Sequence, residues 1–348
     1  MSWNRAQAKE LSDRILSHSR ARECEVLLQQ TQQAHTRSAA NEVTTAGTAQ
    51  DLDISITSRD GQRSGTIRLS DADPGALKVA VARSEQLMKA ANPDPEYVEG
   101  LGPQKYPELH TFFPETEKAG ALERRGALKR ASDVAVAQNL LSSAFWQTNS
   151  RWAAIANKKG NFGFFSSTGA GFSATVRTQD GSGSGWAGGS SPRFSEVPTM
   201  EIVDRAVSKA TASAKPRALS PGRYTVILEP QAVADLVQNL ISGFSRRAAD
   251  EGRSFLSKPG GGNRLGEKLF AEAITLRSDP FDSRLTSHAW AAGGFGGGAG
   301  RPGGYLGFGG FGGGDFEGLP TQKTSWVENG EIKALTVDRY WARKTKTV

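Results

Sequence analysis

The sequence predicts an α+β protein of two domains, and three observations carry that prediction. Helix-like and strand-like patterns come in separate blocks rather than in strict alternation, which argues against a doubly wound parallel sheet. Short alternating runs between glycines over 144–178 read as an antiparallel meander. A length of 348 residues suits two domains, with the apolar and charged fractions of a soluble globular chain.

Leu11, Ile15 and Leu16 recur at helical spacing ahead of Arg20 and give a first helix. Cys24, Val26 and Leu28 then alternate with polar residues as a half-buried strand does, and Leu52, Ile54 and Ile56 repeat the pattern. Asp60-Gly61 turns that strand into a partner over 66–69, because glycine tolerates the positive φ of a hairpin turn. Asp73-Pro74 opens a second helix with Leu77, Val81, Leu87 and Met88 as its buried stripe, and a proline-punctuated loop covers 93–114. A third helix is expected over 117–139, with Leu122, Leu128, Ala131 and Ala135 on one side.

The meander follows as runs at 144–148, 152–156, 162–166 and 172–178, with breaks at 157–160, 168–171 and 180–185. A helix over 199–214 carries Ile202, Val203, Ala206, Val207 and Ala210 and stops at Lys215-Pro216. These elements place an N-terminal domain at 1–195, a connecting helix and linker at 196–220, and a second domain at 221–348. In the second domain a strand at 224–229 is stopped by Pro230. A helix over 231–247 then turns Val233, Leu236, Val237, Leu240, Ile241 and Phe244 inward. A strand at 274–276 and a hairpin turning at Asn329-Gly330, between 324–327 and 332–337, complete it. Residues 292–314 form a glycine-rich insert. Ordering so many glycines costs much backbone entropy, so the plain reading is a flexible loop.

Composition limits the chemistry. The chain has four histidines (His18, His35, His110, His288) and one cysteine, Cys24. A catalytic zinc takes three protein ligands, commonly with two histidines about a helical turn apart. No His-x-x-x-His or Cys-x-x-Cys occurs, so neither catalytic residues nor a metal site are assigned to this chain. Gly181-Ser182-Gly183-Ser184-Gly185 matches a nucleophile elbow in letters but has no helix behind it, and is expected to be a turn. Cys24 belongs to the apolar face of a strand and is read as a core residue, whereas His288 follows a loop and is expected to be exposed.

The net charge is +7, but the basic residues are scattered in pairs such as Arg124-Arg125, Lys158-Lys159 and Arg246-Arg247. This reads as a basic surface rather than a nucleic-acid site. The glycine-rich insert holds only Arg301, so a nucleic-acid- or gyrase-associated role is the weakest reading. No run of 18 apolar residues and no signal-peptide core occur, and a lone cysteine excludes an internal disulfide. These features lead us to expect a cytoplasmic protein with no membrane partner.

The second domain carries an ordered set of segments. They are Pro221-Gly222-Arg223-Tyr224-Thr225-Val226 to Pro230, Gly252-Arg253-Ser254-Phe255-Leu256, and Asn263-Arg264-Leu265-Gly266-Glu267-Lys268-Leu269. Asp315-Phe316-Glu317-Gly318-Leu319-Pro320-Thr321-Gln322 and the Asn329-Gly330 hairpin follow. This order resembles the TldD/PmbA family, and the 144–178 meander is similar to the end of that family's first domain.

The resemblance implies a two-domain α+β protein with an N-terminal meander and a mostly antiparallel C-terminal domain around one central helix. In this family the TldD subunit is a zinc protease with His-Glu-x-x-x-His on that helix. Its TldE/PmbA partner lacks the motif, and the two enclose a chamber that cleaves unfolded peptides. Counting from Pro230, Gln238, Asn239 and Gly243 stand where the first His, the Glu and the second His would be. Amides are weak zinc ligands and cannot act as general bases at neutral pH.

The chain thus resembles the TldE/PmbA-type, non-catalytic subunit. It carries no cofactor of its own, with zinc expected in a TldD-type partner and an unfolded peptide as substrate. The resemblance implies peptide-chamber residues in 231–247 and 252–266: Gln238, Asn239, Gly243, Arg246, Arg247, Arg253 and Ser254. The competing reading is a stand-alone metallopeptidase of the same family with ligands not evident in the sequence. Family members continue past 338–343, so the second domain is expected to be incomplete.

Overall fold

The computed structural model describes residues 3–290 and 318–347, and the insert at 292–314 lies outside them. Helix α1 (Arg5–His18) opens with a capping box: the Asn4 side chain accepts from the Gln7 amide, and the Gln7 side chain accepts from the Asn4 amide. Strands β1 (Glu23–Ala39), β2 (Glu42–Asp60) and β3 (Arg63–Leu69) follow. Helix α2 (Pro74–Ala90) has Pro74 in its first turn, and Asp73 caps the amides of Gly75 and Ala76. Then come α3 (Pro114–Lys118), α4 (Ala121–Ala137), β4 (Leu140–Asn157), β5 (Phe162–Thr178), β6 (Ser184–Ser191) and α5 (Thr199–Ala212).

The six strands form one antiparallel sheet in the order β3-β2-β1-β4-β5-β6. Both helix pairs lie on the face carrying the even-numbered residues of β1 and β4. Near one end, Val26, Leu28, Ile54, Ile56 and Ala154 pack with Ile15 of α1 and Leu77 and Val81 of α2. Near the other, Trp146, Phe172, Ala174 and Val176 pack with Leu128 and Ala131 of α4 and Ile202, Val203 and Ala206 of α5. Between the two cores the same face is polar, with Gln30, Gln32, Thr148, Ser150 and Thr168.

That polar band explains where the expected strands were too short. β4 and β5 each run unbroken where two runs were expected, and 168–171 pairs with 147–150 in mid-strand. Backbone hydrogen bonding does not stop where the apolar alternation stops. The breaks at 157–160 and around Gly181 are real turns, with Gly160 and Gly181 at positive φ. Ser184 and Gly185, however, begin β6. The glycines there serve packing, because a Cβ on Gly185 would lie 2.1 Å from the Ala206 carbonyl oxygen of α5.

Two helix expectations also change. The third helix starts at Ala121, and 114–118 is a separate turn of helix, with Gly120 as the N-cap between them. Leu87 and Leu122, expected on buried stripes, are exposed, while Met88 and Leu128 take the core positions.

After α5 the chain changes character. Residues 224–229 form no strand; Val226, Ile227 and Leu228 are exposed. The β-branched Val226 and Ile227 suit a strand, but no described segment pairs with them. Helix α6 (Pro230–Ile241) has no fully buried residue, and Val233 and Leu236 are exposed rather than inward. A short turn, α7 (Arg246–Asp250), and a small antiparallel sheet of β7 (Leu276–Ser278), β8 (Thr324–Glu328) and β9 (Glu331–Ile332) follow, before α8 (Arg339–Thr345). Phe244, Leu256, Trp326, Val327 and Ile332 make the core of this part. The β8–β9 turn is at Asn329-Gly330, both at positive φ, but β9 has two residues instead of the expected longer strand.

Candidate functional site

The helix expected over 231–247 is broken, and the break decides where the candidate residues lie. α6 stops at Ile241, a 3-10 turn spans Ser242–Phe244, and Ser245 caps α7 through the Ala248 amide. Phe244 is fully buried, so the chain must leave the α6 axis to deliver it to the core. Gly243 allows this, because a Cβ there would lie 2.5 Å from the Phe255 ring. The Ser254 hydroxyl donates to the Gly243 carbonyl, tying the 252–266 loop to the break. Gly243 and Ser254 are therefore brought together, as parts of the scaffold.

Gln238 and Asn239 lie on the exposed side of α6, and the Asn239 amide nitrogen donates to the Asp235 carbonyl at 2.9 Å. The arginines are already engaged. Arg247 forms a bidentate pair with Glu96, at 2.6 and 2.7 Å, and sits over the rings of Tyr340 and Trp341. The Arg247 hydrogen bonds hold the Glu96 carboxyl below its usual range. Arg253 pairs with Glu251, and Arg246 faces Asp250 at 3.6 Å. Asp250 in turn accepts from Trp341 Nε1 at 2.8 Å and Asn263 Nδ2 at 2.6 Å. Arg339 and Arg343 donate to the carbonyls of Glu99 and Tyr97. Together with Arg247 they clamp the 96–99 loop, so the charge expected at the surface holds the two halves of the chain together.

A second junction was missed from the sequence. His288 does not sit exposed; it is half-buried and stacks on Phe165 at 5.0 Å between ring centroids. Its Nε2 lies 3.3 Å from Arg151 Nη1, and Arg151 Nη2 donates to Gln29 at 2.8 Å. Desolvation, then the nearby Arg151 charge, lowers the His288 pKa to about 3, so the imidazole is neutral at physiological pH. With Trp290 and Tyr106 it forms an aromatic seam on the sheet face opposite the helices. The aromatic residues signalled burial; the pairing of His288 with Arg151 had no sequence signal, since they are far apart in the chain.

Cys24 is buried at the start of β1, and desolvation raises its thiol pKa, which disfavours the nucleophilic thiolate. Ser182 lies in the β5–β6 turn, where its amide and hydroxyl donate to Asp180. Among the described residues, no three His, Cys, Asp or Glu side chains come together as a metal-ligand set. The side chains at Gln238 and Asn239 are amides, so α6 does not fit a catalytic zinc. No described helix is long and apolar enough to cross a membrane.

Comparison with known families assigns both parts of this architecture. Residues 112–214 match the PmbA/TldA metallopeptidase central domain, and residues 221–348 match the PmbA/TldA metallopeptidase C-terminal domain. The chain belongs to the PmbA/TldD family. Solved structures share this fold. A candidate modulator of DNA gyrase from Thermotoga maritima is similar at TM-score 0.80 and 18% identity, over 98% of this chain and 73% of that one. TldE from Thermococcus kodakarensis is similar at TM-score 0.76 and 20% identity, over 97% and 71%. A candidate modulator of DNA gyrase from Bacteroides thetaiotaomicron is similar at TM-score 0.78 and 18% identity, over 98% and 73%. A search of curated proteins gave no match.

Proposed function

We propose that this chain is the non-catalytic, TldE/PmbA-type subunit of a zinc metalloprotease that cleaves unfolded peptides. Gln238, Asn239 and Gly243 carry the proposal: they occupy the helix that begins at Pro230 and the turn that ends it, where a TldD-type subunit would place two zinc ligands and a general base. The side-chain amides at 238 and 239 neither bind zinc strongly nor take a proton from water, and Gly243 offers no side chain. The zinc and the base would come from a TldD-type partner, and this chain would complete the wall of the peptide chamber.

The apolar residues on 224–236 support a docking role. Val226, Ile227, Val233 and Leu236 are exposed on one continuous stretch of chain, and such a patch marks a surface that is covered in an assembly. Gln238 and Asn239 follow on the same helix, placing neutral hydrogen-bonding groups beside that surface. They would orient an extended substrate with little sequence preference, as main-chain recognition does.

Co-purification with a TldD-type protein, followed by digestion of an unfolded peptide, tests this. The expected result is a stable complex, with cleavage that needs both chains and with zinc only in the partner. Equal cleavage with and without this chain would remove the proposal. Stoichiometric zinc on this chain alone would replace it with a stand-alone peptidase.

A further inference from the structure

A cavity of about 250 Å³ lies on the helix-covered face of the sheet, at the polar band between the two cores. Its floor is Gln32, Thr48, Thr148 and Ser150, from three adjacent strands, and its wall is the α3–α4 junction at 117–121 with Arg124. Nothing in the proposed peptidase role uses it.

Arg124 is the unusual feature. It is only 3% exposed, yet it belongs to none of the ion pairs among the described residues. Nε donates to the Thr36 hydroxyl at 3.3 Å and Nη1 to the Ala119 carbonyl at 2.6 Å, while Nη2 has no protein partner among the described residues. Both hydrogen-bond partners are neutral, and the Glu123 carboxylate, the charge that acts on Arg124 from the first turn of α4, makes no ion pair with it, so the buried cation is only partly compensated. A second feature has the same sign. Helix α4 starts at Ala121, its N-cap Gly120 makes no side-chain hydrogen bond, and both residues line the cavity, so the positive end of a 17-residue helix faces it, with the Glu123 carboxylate in its first turn. Lys118 adds a cation at the rim, and Glu117 places one carboxylate on the wall.

We propose that this cavity binds the carboxylate of an amino acid or of a peptide's carboxy-terminal residue, held by Arg124 and the start of α4. The guanidinium fork suits a planar carboxylate. The hydroxyls and the Gln32 amide on the floor suit a small polar molecule, and the volume lies just below the usual range for ligand sites. Glu117 disfavours a multiply charged anion and can receive the ammonium of a free amino acid.

Calorimetric titration of the full chain with alanine, trialanine, trialanine amide and inorganic phosphate tests the site. The free acids bind, and the amide binds about tenfold more weakly or worse, since a charge-assisted pair is lost. Preference for alanine over trialanine identifies a free amino acid as the ligand, and the reverse identifies a peptide end. Arg124→Lys keeps the charge but loses the fork, and should weaken binding about tenfold. Ala34→Leu fills the cavity without removing a hydrogen bond, and should abolish binding even if the Arg124 variant fails to fold. Equal binding of acid and amide, binding of phosphate alone, no binding to the parent chain, or unchanged affinity in Ala34→Leu would overturn the proposal.

Discussion

The sheet body and the 224–241 segment carry similar apolar patterns and treat them in opposite ways. In the body, Trp146, Phe172 and Ile202 are at most 2% exposed, because two helix pairs close over one face of the sheet. In the segment, Ile227 is 98% and Leu236 60% exposed, and only Leu240 of α6 packs against the neighbouring core. Hydrophobic patterning identifies a surface that gains by leaving water; it does not identify what covers it. In the first region the cover is in the same chain. In the second, among the described residues, it is not, and under the proposed function that cover would be a partner subunit.

Substitutions should therefore separate the two regions. Trp146→Ala removes a large ring from a closed core and should cost about 3–5 kcal/mol in chemical denaturation. Gly185→Ala pushes a methyl group toward the α5 backbone and should cost about 1–3 kcal/mol. Either variant behaving like the parent would show that the helices do not close the core as described.

Glu96→Gln removes the bidentate partner of Arg247 and should lower stability less than either core change. Its effect depends on pH. Arg247 depresses the Glu96 pKa in the folded state, so the stabilisation is complete above the unfolded carboxylate pKa. It is lost as the pH falls through the depressed folded value. The parent and Glu96→Gln should thus differ at neutral pH and converge in acid, as read by thermal melts across pH. Smallest of all, Val233→Ser should change the stability of the isolated chain by no more than about 0.5 kcal/mol, because that side chain is already exposed.

Much of the fold follows from the sequence, for identifiable reasons. The Asp73-Pro74 start of α2, the Gly61 turn and the apolar stripe of α5 each depend on local chemistry, and each is found. The failures are tertiary. Gln32, Thr148 and Ser150 interrupt the alternation without interrupting the strands, so β1, β4 and β5 are longer than their apolar runs. Gly185 resembles a turn residue, but its lack of a side chain makes room for α5. At the candidate site, sequence order placed Gln238 and Asn239 on a helix, as found. It could not show that Phe244 would break that helix or that Glu96 would occupy Arg247, since those contacts join distant segments.

The contrast between a covered and an uncovered apolar surface is tested most directly by sedimentation of this chain with a TldD-type partner, using the parent and Leu236→Asp. The parent should form a heteromeric complex. Leu236→Asp should keep the circular dichroism and melting temperature of the isolated parent but lose the complex, because it puts a charge into the surface to be buried. An unchanged complex with Leu236→Asp, or no complex with the parent, would contradict the assignment of this surface to a partner subunit.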